Sequence, residues 1–328
     1  MAAPPNRSVE AIYAPVRDEL DRVDANLLDL AAKANLSLDD RLFAQAVLSG
    51  GKKVRPALTL LAARVGGERS DKPIVMATAV ELLHIATLIH DDTVDGALTR
   101  RGRATAPSLW GGKVAILLGD YVFAASATYV CDTGDVYVIR RFSETIMELA
   151  RGELAEHFSA FDWTQTLDDY TSRIYSKTAS LFATAAEAGG VLGGAEAAAC
   201  EALRRYGRAI GMAYQVMDDV LDFLGTEEEL GKPVGADLLQ GTLTLPTLLF
   251  VQARSDEPAV RRLRNGGAAD DDLRELAGLV AASDAIDRSL EACGRYRREA
   301  QTALEGLPAG EARDALAALA DYMGGRRS

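Results

Sequence analysis

The sequence predicts an all-α fold, and three observations lead to that prediction. Aromatic residues make up only 6% of the chain while alanine and leucine are abundant, and this balance favours helices because sheets draw on β-branched and aromatic residues. Apolar residues recur in steps of three and four from Ser8 to Ala34, which is the spacing of one helix face. No segment alternates as a strand does, and no linker rich in proline or serine divides the chain, so we expect a single large helical bundle over residues 1–328.

Further helices are expected along the chain, several of them opened by proline. Pro56 opens one segment, and Pro73 opens a helix that runs to Asp95. The run Lys113–Tyr129 is apolar on nearly all sides, which predicts a buried central helix. The other expected helices are Tyr137–Phe158, Leu167–Glu187, Ala195–Leu224 and Leu245–Ala253.

The bulk composition excludes several classes of protein. The formal charge of −12, from 36 basic and 48 acidic residues, is opposed to a nucleic-acid-binding surface. The three cysteines, Cys131, Cys200 and Cys293, are too far apart in sequence for a zinc motif, and their odd number predicts no disulfide framework, so a reducing cytosol fits. No signal-peptide core is present, and no apolar run approaches the ~20 residues that cross a bilayer. We therefore expect a cytoplasmic protein without stable membrane insertion.

A first acidic cluster lies near the end of the helix that Pro73 opens. Asp91 and Asp95 stand one turn apart and therefore share a helix face. Two carboxylates placed this way repel each other unless a cation lies between them, and Mg²⁺ prefers such oxygen ligands. His84 lies seven residues before Asp91 on the same face, where it is either a histidine of the core or a donor to a phosphate.

A second acidic cluster has a more apolar setting. Gln215, Asp218, Asp219 and Asp222 form one stripe of one helix, and the positions between them are apolar. Charged residues in an apolar helix are costly unless they are paired or bind a metal. Two such clusters in one helical chain suggest two helices that face each other across a pocket holding metal ions and a diphosphate.

Several cations could answer the negative charge of such a substrate. Arginine matches phosphate oxygens with a two-pronged fork, and lysine acts as a point charge. Each candidate alone is more often an ordinary surface charge, but together they form a set. The set comprises Lys52, Lys53 and Arg55 after a Gly-Gly pair, Arg100 and Arg101 after the first cluster, Lys177 beside Thr178, and Lys232 in Gly-Lys-Pro-Val-Gly-Ala-Asp.

Taken in their order from Gly50 to Pro246, these motifs resemble the trans-isoprenyl diphosphate synthase family, also called polyprenyl synthetases. The resemblance implies an all-α fold of the isoprenoid synthase type, with a central cavity between the two Asp-rich helices. It implies a Mg²⁺-dependent prenyltransferase that condenses isopentenyl diphosphate head to tail with an allylic diphosphate. It also implies a homodimer.

The resemblance further implies roles for individual residues. The diphosphate of isopentenyl diphosphate would be held by Lys52, Arg55, His84 and Arg101. The allylic diphosphate would be held by Arg100, Lys177, Thr178, Gln215 and Lys232. The Mg²⁺ ions would bind Asp91 and Asp95, with Asp218 across the pocket. The remaining aspartates of the two motifs, as metal ligands or as supports, are Asp92, Asp219 and Asp222.

Two further features of the sequence concern the substrate and the product: a residue that departs from the family pattern, and the residues that precede the first acidic cluster. Thr242 stands where the family often has a lysine that would contact the allylic diphosphate. Chain length in the family depends on side chains just before the first cluster, and Ala86 and Thr87 are small, which favours a long-chain all-trans product. Deeper residues that could still close the tunnel, or could be plain core, are Phe123, Phe142 and Met147.

Four other functions remain compatible with parts of the sequence. A short-chain synthase making farnesyl or geranylgeranyl diphosphate would have the same motifs. A class I terpene cyclase would carry an Asn/Ser/Glu metal motif in place of Asp218–Asp222, and it would not need Lys52 and Arg55. A catalytically silent subunit of a heteromeric synthase would have lost its aspartate motifs, and a generic acidic metal-binding protein would lack the matched cations.

Overall fold

A computed structural model describes residues 8–34, 51–100, 102–225, 233–266 and 269–325 of the chain. This part is built almost entirely from helices, which confirms the predicted fold class. The strands within it are β1 (Thr99–Arg100) and β2 (Arg103–Ala104), which pair antiparallel as a short hairpin directly after the first acidic cluster.

The helices follow the predicted order closely. They are α1 (Val9–Tyr13), α2 (Arg17–Lys33), α3 (Val54–Gly66), α4 (Lys72–Val94), α5 (Ala106–Trp110), α6 (Gly112–Asp132), α7 (Val136–Phe158), α8 (Leu167–Ile174), α9 (Ser180–Leu192), α10 (Ala197–Leu224), α11 (Ala236–Leu239), α12 (Leu245–Ala253), α13 (Pro258–Arg264), α14 (Asp270–Ala281), α15 (Ala285–Leu304) and α16 (Glu311–Gly324). A 3₁₀ turn (Ala14–Val16) joins α1 to α2, and a π-helical turn (Tyr175–Ala179) interrupts the predicted helix Leu167–Glu187 between α8 and α9.

Helix α4 occupies the middle of the bundle. It packs against α2, α3, α6 and α9, and most of its residues from Pro73 to Ile89 are buried. A helix covered on all sides carries little amphipathic signal, which is why its apolar sequence has no clear polar face until the acidic cluster begins.

Helix α10 connects the two parts of the core. Its first half, including Tyr206, belongs to the larger apolar cluster formed with α2, α3, α4 and α9. Its second half, including Val216 and Phe223, belongs to a smaller cluster formed with α12, α14 and α15. The second acidic cluster therefore lies on a helix that is anchored by apolar contacts over its whole length.

Helix α6 corrects one prediction. It was expected to be buried on all sides, but Ile116 and Leu117 are exposed and only 33% of its most apolar 18-residue window is buried. The bundle covers one face of α6 with α4 and leaves another face open.

By length and composition, α4 and α6 could each cross a membrane, contrary to the expectation that no segment reaches that limit. Helix α4 is a core helix of the bundle, since 72% of its most apolar 18-residue stretch is buried by the rest of the chain. One or two such helices are weak evidence of a membrane protein.

Candidate active site

A cavity of about 340 Å³ opens between α4, α7, the π-helical turn and α10. Its polar lining comes from both acidic clusters and from several of the predicted cations, and its apolar lining comes from α4, α6 and α7. The polar group is Arg55, His84, His90, Asp91, Arg100, Glu153, Lys177, Thr178 and Asp218. The remaining residues are Leu83, Ala86, Thr87, Leu88, Phe123, Ile146, Leu149, Ala150 and Tyr214.

The aspartates of the first cluster face different surroundings. Asp91 lines the cavity, where burial and the nearby charge of Glu153 raise the pKa of its carboxyl to about 7. Asp92 is buried and accepts a hydrogen bond from Nε of Arg100 at 2.7 Å, so it holds a cation of the cavity wall. Asp95 is exposed at the end of α4, outside the lining, and its backbone N–H donates to the carbonyl of Asp91.

The second cluster divides in the same way. Asp218 lines the cavity, whereas Asp219 is buried and holds its neighbours. Asp219 accepts hydrogen bonds from the Tyr170 hydroxyl at 2.6 Å and from the Gln215 amide at 2.9 Å. The Gln215 carbonyl oxygen in turn accepts from the Thr178 hydroxyl at 2.7 Å. The buried aspartate thus fixes one side chain of the cavity wall through Gln215.

Burial raises the pKa of Asp219 to about 7, although the two hydrogen bonds that its carboxyl accepts act in the opposite direction. Asp222, the last aspartate of the stripe, is also buried. One of its carboxyl oxygens accepts from the backbone N–H of Asp237 at 3.2 Å, which ties α10 to the first turn of α11.

Lys177 lies in the π-helical turn and is held by two carboxylates of α7. Its ammonium donates to Glu156 at 2.5 Å and to Glu153 at 3.1 Å. Burial alone would lower the pKa of Lys177, but Glu156 and Glu153 outweigh it and raise that pKa. An ammonium has three donors, so two hydrogen bonds to glutamates leave one for a ligand in the cavity.

Gly152 brings α7 close enough for these contacts. A Cβ atom at Gly152 would lie 2.5 Å from the backbone nitrogen of Lys177 and 2.9 Å from the carbonyl carbon of Ser176. No side chain fits at that distance, so glycine is required where α7 meets the π-helical turn. Such turns are rare and are often found at functional sites.

The remaining predicted cations are only partly brought to the cavity. Arg55 lines it, with its guanidinium 4.4 Å from the ring centre of Phe182. Lys52 is exposed and lies 5.4 Å from the ring centre of Tyr322, outside the lining. Lys53 is turned away and pairs with Asp24. Arg101 and Lys232 lie outside the described residues.

The residues present fit a divalent metal ion, provided that a substrate completes its ligand shell. Within the described ranges, no three acidic, histidine or cysteine side chains are grouped closely enough to hold an ion alone. Asp91 and Asp218 nevertheless line one cavity from two helices. Burial, and after it the charge of Glu153, raises the pKa of Asp91, and a cation beside this carboxylate would stabilise its charged form. Mg²⁺ commonly binds through one or two carboxylates plus substrate phosphates and water.

The comparisons with known proteins identify the family of this chain. Residues 40–280 match the model of the polyprenyl synthetase family. The chain belongs to the polyprenyl synthetase family. It is therefore a prenyltransferase, and membership implies isopentenyl diphosphate and an allylic diphosphate as substrates.

Relatives match over nearly their whole length. The chain is 38% identical over 321 residues to "Heptaprenyl diphosphate synthase component 2" of Geobacillus stearothermophilus, covering 97% of this chain and 99% of that protein. The crystal structure of heptaprenyl diphosphate synthase from Staphylococcus aureus superposes with a TM-score of 0.90 at 33% identity, covering 98% and 100% of the two chains.

A polyprenyl synthase from Caulobacter crescentus, crystallised with calcium and isoprenyl diphosphate, superposes with a TM-score of 0.89 at 34% identity, covering 99% of this chain and 100% of that one. Together these relatives support long-chain trans-prenyltransferase activity.

Sequence reasoning missed three residues of this polyprenyl synthetase site. Glu153 and Glu156 hold Lys177, and Tyr170 holds Asp219. The two glutamates are spaced i, i+3 on α7, next to a glycine in a helix, and this spacing was the available signal. Tyr170 left no signal, because an isolated tyrosine in a helix is usually plain core.

The structure also sorts the residues proposed to set product length. Ala86 and Thr87 line the cavity, as does Phe123. Phe142 is completely buried in the larger apolar cluster, and Met147 is exposed. Of the three deeper candidates, only Phe123 is in a position to meet a growing chain within this cavity.

Proposed function

We propose that this protein is a long-chain all-trans polyprenyl diphosphate synthase that uses Mg²⁺. The observation that carries the proposal is the composition of the cavity. Aspartates from two helices and the cations Arg100 and Lys177 line it together with an apolar surface. A diphosphate needs the charged groups and a prenyl chain needs the apolar ones. A site for either substrate part alone would not require both.

The lining residues have separate tasks in this proposal. Arg100 and Lys177 bind the diphosphate of the allylic substrate, and Arg55 and His84 bind that of isopentenyl diphosphate. Asp91 and Asp218 would hold Mg²⁺, which would supply positive charge to the diphosphate leaving group. The allylic carbon–oxygen bond breaks, and a carbon–carbon bond forms to the waiting alkene. The released diphosphate then takes the proton that is lost.

The apolar lining protects the reactive intermediate. Leu83, Ile146 and Leu149 exclude water from the site and leave an allylic cation little to react with except the positioned alkene. A cavity of about 340 Å³ is near the lower end of the size that encloses a drug-sized ligand. A long chain therefore has to extend past Phe123 and Ile146, which border the cavity from α6 and α7.

The experiment for this function measures products and their lengths. Purified protein is incubated with Mg²⁺, labelled isopentenyl diphosphate and an allylic primer, and the dephosphorylated products are sized by chromatography. We expect a ladder that ends at a long prenyl alcohol. A single short product would contradict the long-chain assignment, and cyclised hydrocarbon from the primer alone would indicate a terpene cyclase.

The phenylalanine variants Ala86→Phe and Thr87→Phe test the length determinant at two neighbouring positions. Each places a ring in the cavity wall beside the path of the chain, so the products should shorten while the first condensation continues. Thr87 is only half-buried, so its variant is less exposed to packing damage than that of Ala86. If both variants made products of unchanged length, small residues here would not set the product.

We also propose a homodimer formed through α6 and α7. Both helices expose large apolar side chains, a feature that marks contact surfaces when it is extensive. These side chains are Ile116, Leu117, Val136, Tyr137, Met147, Leu154 and Phe158. Covering them with a second copy would explain why an apolar helix such as α6 is only partly buried by its own chain.

Sedimentation of two matched variants tests this assembly. We expect a particle of about 70 kDa, twice the 35.0 kDa chain. Leu117→Lys should shift it toward monomer, whereas Leu28→Lys on α2, which also replaces an exposed leucine, should leave it unchanged. A chain that stays monomeric at all concentrations would instead favour a heteromeric enzyme, as the word "component" in the name of the Geobacillus relative suggests for that protein.

A further inference from the structure

A second cavity, of about 560 Å³, lies between α10 and α15 and shares no lining residue with the reaction cavity. Four arginines line it, two from each helix, and we call it the arginine cleft. They are Arg205 and Arg208 of α10 and Arg295 and Arg298 of α15. None of its lining residues belongs to α6 or α7, so the dimer proposed above would not cover the arginine cleft.

The spacing concentrates positive charge on facing surfaces. In each helix the two arginines are three residues apart, which places them on the same face. Like charges at this spacing destabilise a helix slightly, and here two such pairs border one cavity. The chain as a whole has the opposite character, with a net charge of −12.

The arginines of the cleft differ from two of their neighbours in the same helices. Arg204 pairs with Glu201 at 2.7 Å, and Arg297 lies 3.9 Å from Asp321. Among the residues that the structure describes, none of the four cleft arginines has a carboxylate within 4.0 Å, although Glu299 also lines the cavity. The four guanidinium groups are exposed to solvent at the cleft, so an incoming anion can reach them.

The surroundings of the arginines suit an anion that is attached to an organic group. Arg208 lies 5.7 Å from the ring centre of Tyr175, a cation–π contact that restrains its position. Met212, Ala209 and Ala303 give the cleft an apolar part, and Thr302 adds a hydroxyl donor. Guanidinium groups match phosphate oxygens in geometry as well as in charge.

We propose that the arginine cleft is a second binding site, for a phosphate-bearing anion. This goes beyond the prenyl transfer assigned to the reaction cavity. Two sources share the required chemistry: a soluble diphosphate of the kind that the enzyme handles, and the phosphate headgroup of an anionic lipid. The test therefore uses one probe for each source.

Two double variants isolate the cleft from the reaction cavity. Arg205→Gln with Arg298→Gln removes one cleft arginine from each helix. The control, Arg204→Gln with Arg288→Gln, removes the same charge from the same two helices outside the cleft. Both proteins keep the same reaction cavity, so a difference in binding between them belongs to the cleft.

The first probe is inorganic diphosphate, titrated calorimetrically into the full-length protein without divalent metal. We expect the cleft variant to bind about tenfold more weakly than the control, because each loses charge but only one loses cleft donors. The second probe is sedimentation with vesicles of phosphatidylglycerol, with phosphatidylcholine vesicles for comparison. Selective loss of diphosphate binding supports a soluble ligand, and selective loss of phosphatidylglycerol binding supports a lipid headgroup.

Equal binding of both probes by the cleft variant and the control would overturn the proposal. Melting curves of the two variants exclude a folding defect. The double variant Arg205→Lys with Arg298→Lys separates charge from geometry, since it keeps both positive charges but removes the two-pronged guanidinium groups. Prenyl transfer by the cleft variant should match that of the control at saturating substrate. Loss of the cleft site and loss of the proposed function are therefore measured separately.

Discussion

The two aspartate clusters solve the same structural problem on two different helices. In each, one aspartate lines the cavity, and the next residue along the chain is buried and holds a side chain of the cavity wall, either directly or through one intermediate residue. Asp91 and Asp92 of α4 show this division, and so do Asp218 and Asp219 of α10. Adjacent acidic residues in a helix point about 100° apart, so a double aspartate supplies one ligand and one support.

The clusters differ in what the buried aspartate holds. Asp92 pairs with a cation, Arg100, whereas Asp219 accepts from two neutral donors, Tyr170 and Gln215. The charge of Asp92 is therefore directly matched, while burial raises the pKa of Asp219 to about 7. The comparison teaches that the four aspartates have three different physical roles: lining the cavity, pairing with a cation, and accepting hydrogen bonds from neutral donors.

The largest effect is expected from the two aspartates that line the cavity. Asp91→Asn and Asp218→Asn keep the size of the side chain but remove a carboxylate that would hold Mg²⁺. Each should lower turnover on the order of 10²–10³-fold, because the departing diphosphate loses positive charge at the moment it forms. The initial rate of incorporation of labelled isopentenyl diphosphate measures this. A rate within about tenfold of wild type would remove that residue from the metal site.

A smaller and asymmetric effect is expected from the buried aspartates. Asp92→Asn leaves Arg100 without its carboxylate and should weaken use of the allylic primer by about tenfold in kcat/KM. Asp219→Asn should cost less than about threefold, since an amide can accept from Gln215 and donate to the Tyr170 oxygen. Steady-state kinetics of both variants decide the order. The reverse order would mean that Asp219 acts at the substrate rather than through Gln215.

The smallest change tests how Lys177 is positioned. Gly152→Ala introduces a Cβ atom against the backbone of the π-helical turn and should cost about 1–3 kcal/mol of stability, with a loss of turnover. Gly278→Ala is the matched control, because its Cβ would meet nothing within 4 Å and alanine favours a helix by about 0.5–1 kcal/mol. Urea denaturation compares the two. Equal stability of both variants would show that α7 can move away without consequence.

The fold could be predicted because its signals are local. Prolines and three-to-four periodicity fix most helix positions, as for α2 and α4. Burial could not be predicted as well, because α4 and α6 have similarly apolar sequences, yet only α4 is surrounded by its own chain. An apolar helix has the same sequence whether a core or another surface covers it.

The site shows the same limit. The sequence indicated Asp91, Asp218 and Lys177, since each belongs to a motif. It could not indicate that Glu156 reaches Lys177, because the two are 21 residues apart and meet only through the close approach at Gly152. Likewise, the spacing placed Asp218 and Asp219 on one stripe, but only the packing of α8 on that stripe separates a lining residue from a supporting one.

The most direct test of this division counts metal ions. Mn²⁺ replaces Mg²⁺ as a spectroscopic probe, and its binding is measured by electron paramagnetic resonance in the presence of inorganic diphosphate. We expect wild type, Asp92→Asn and Asp219→Asn to bind the same number of ions, and Asp91→Asn and Asp218→Asn to lose at least one. If Asp219→Asn lost as many ions as Asp218→Asn, the separation of lining from supporting aspartates would be wrong.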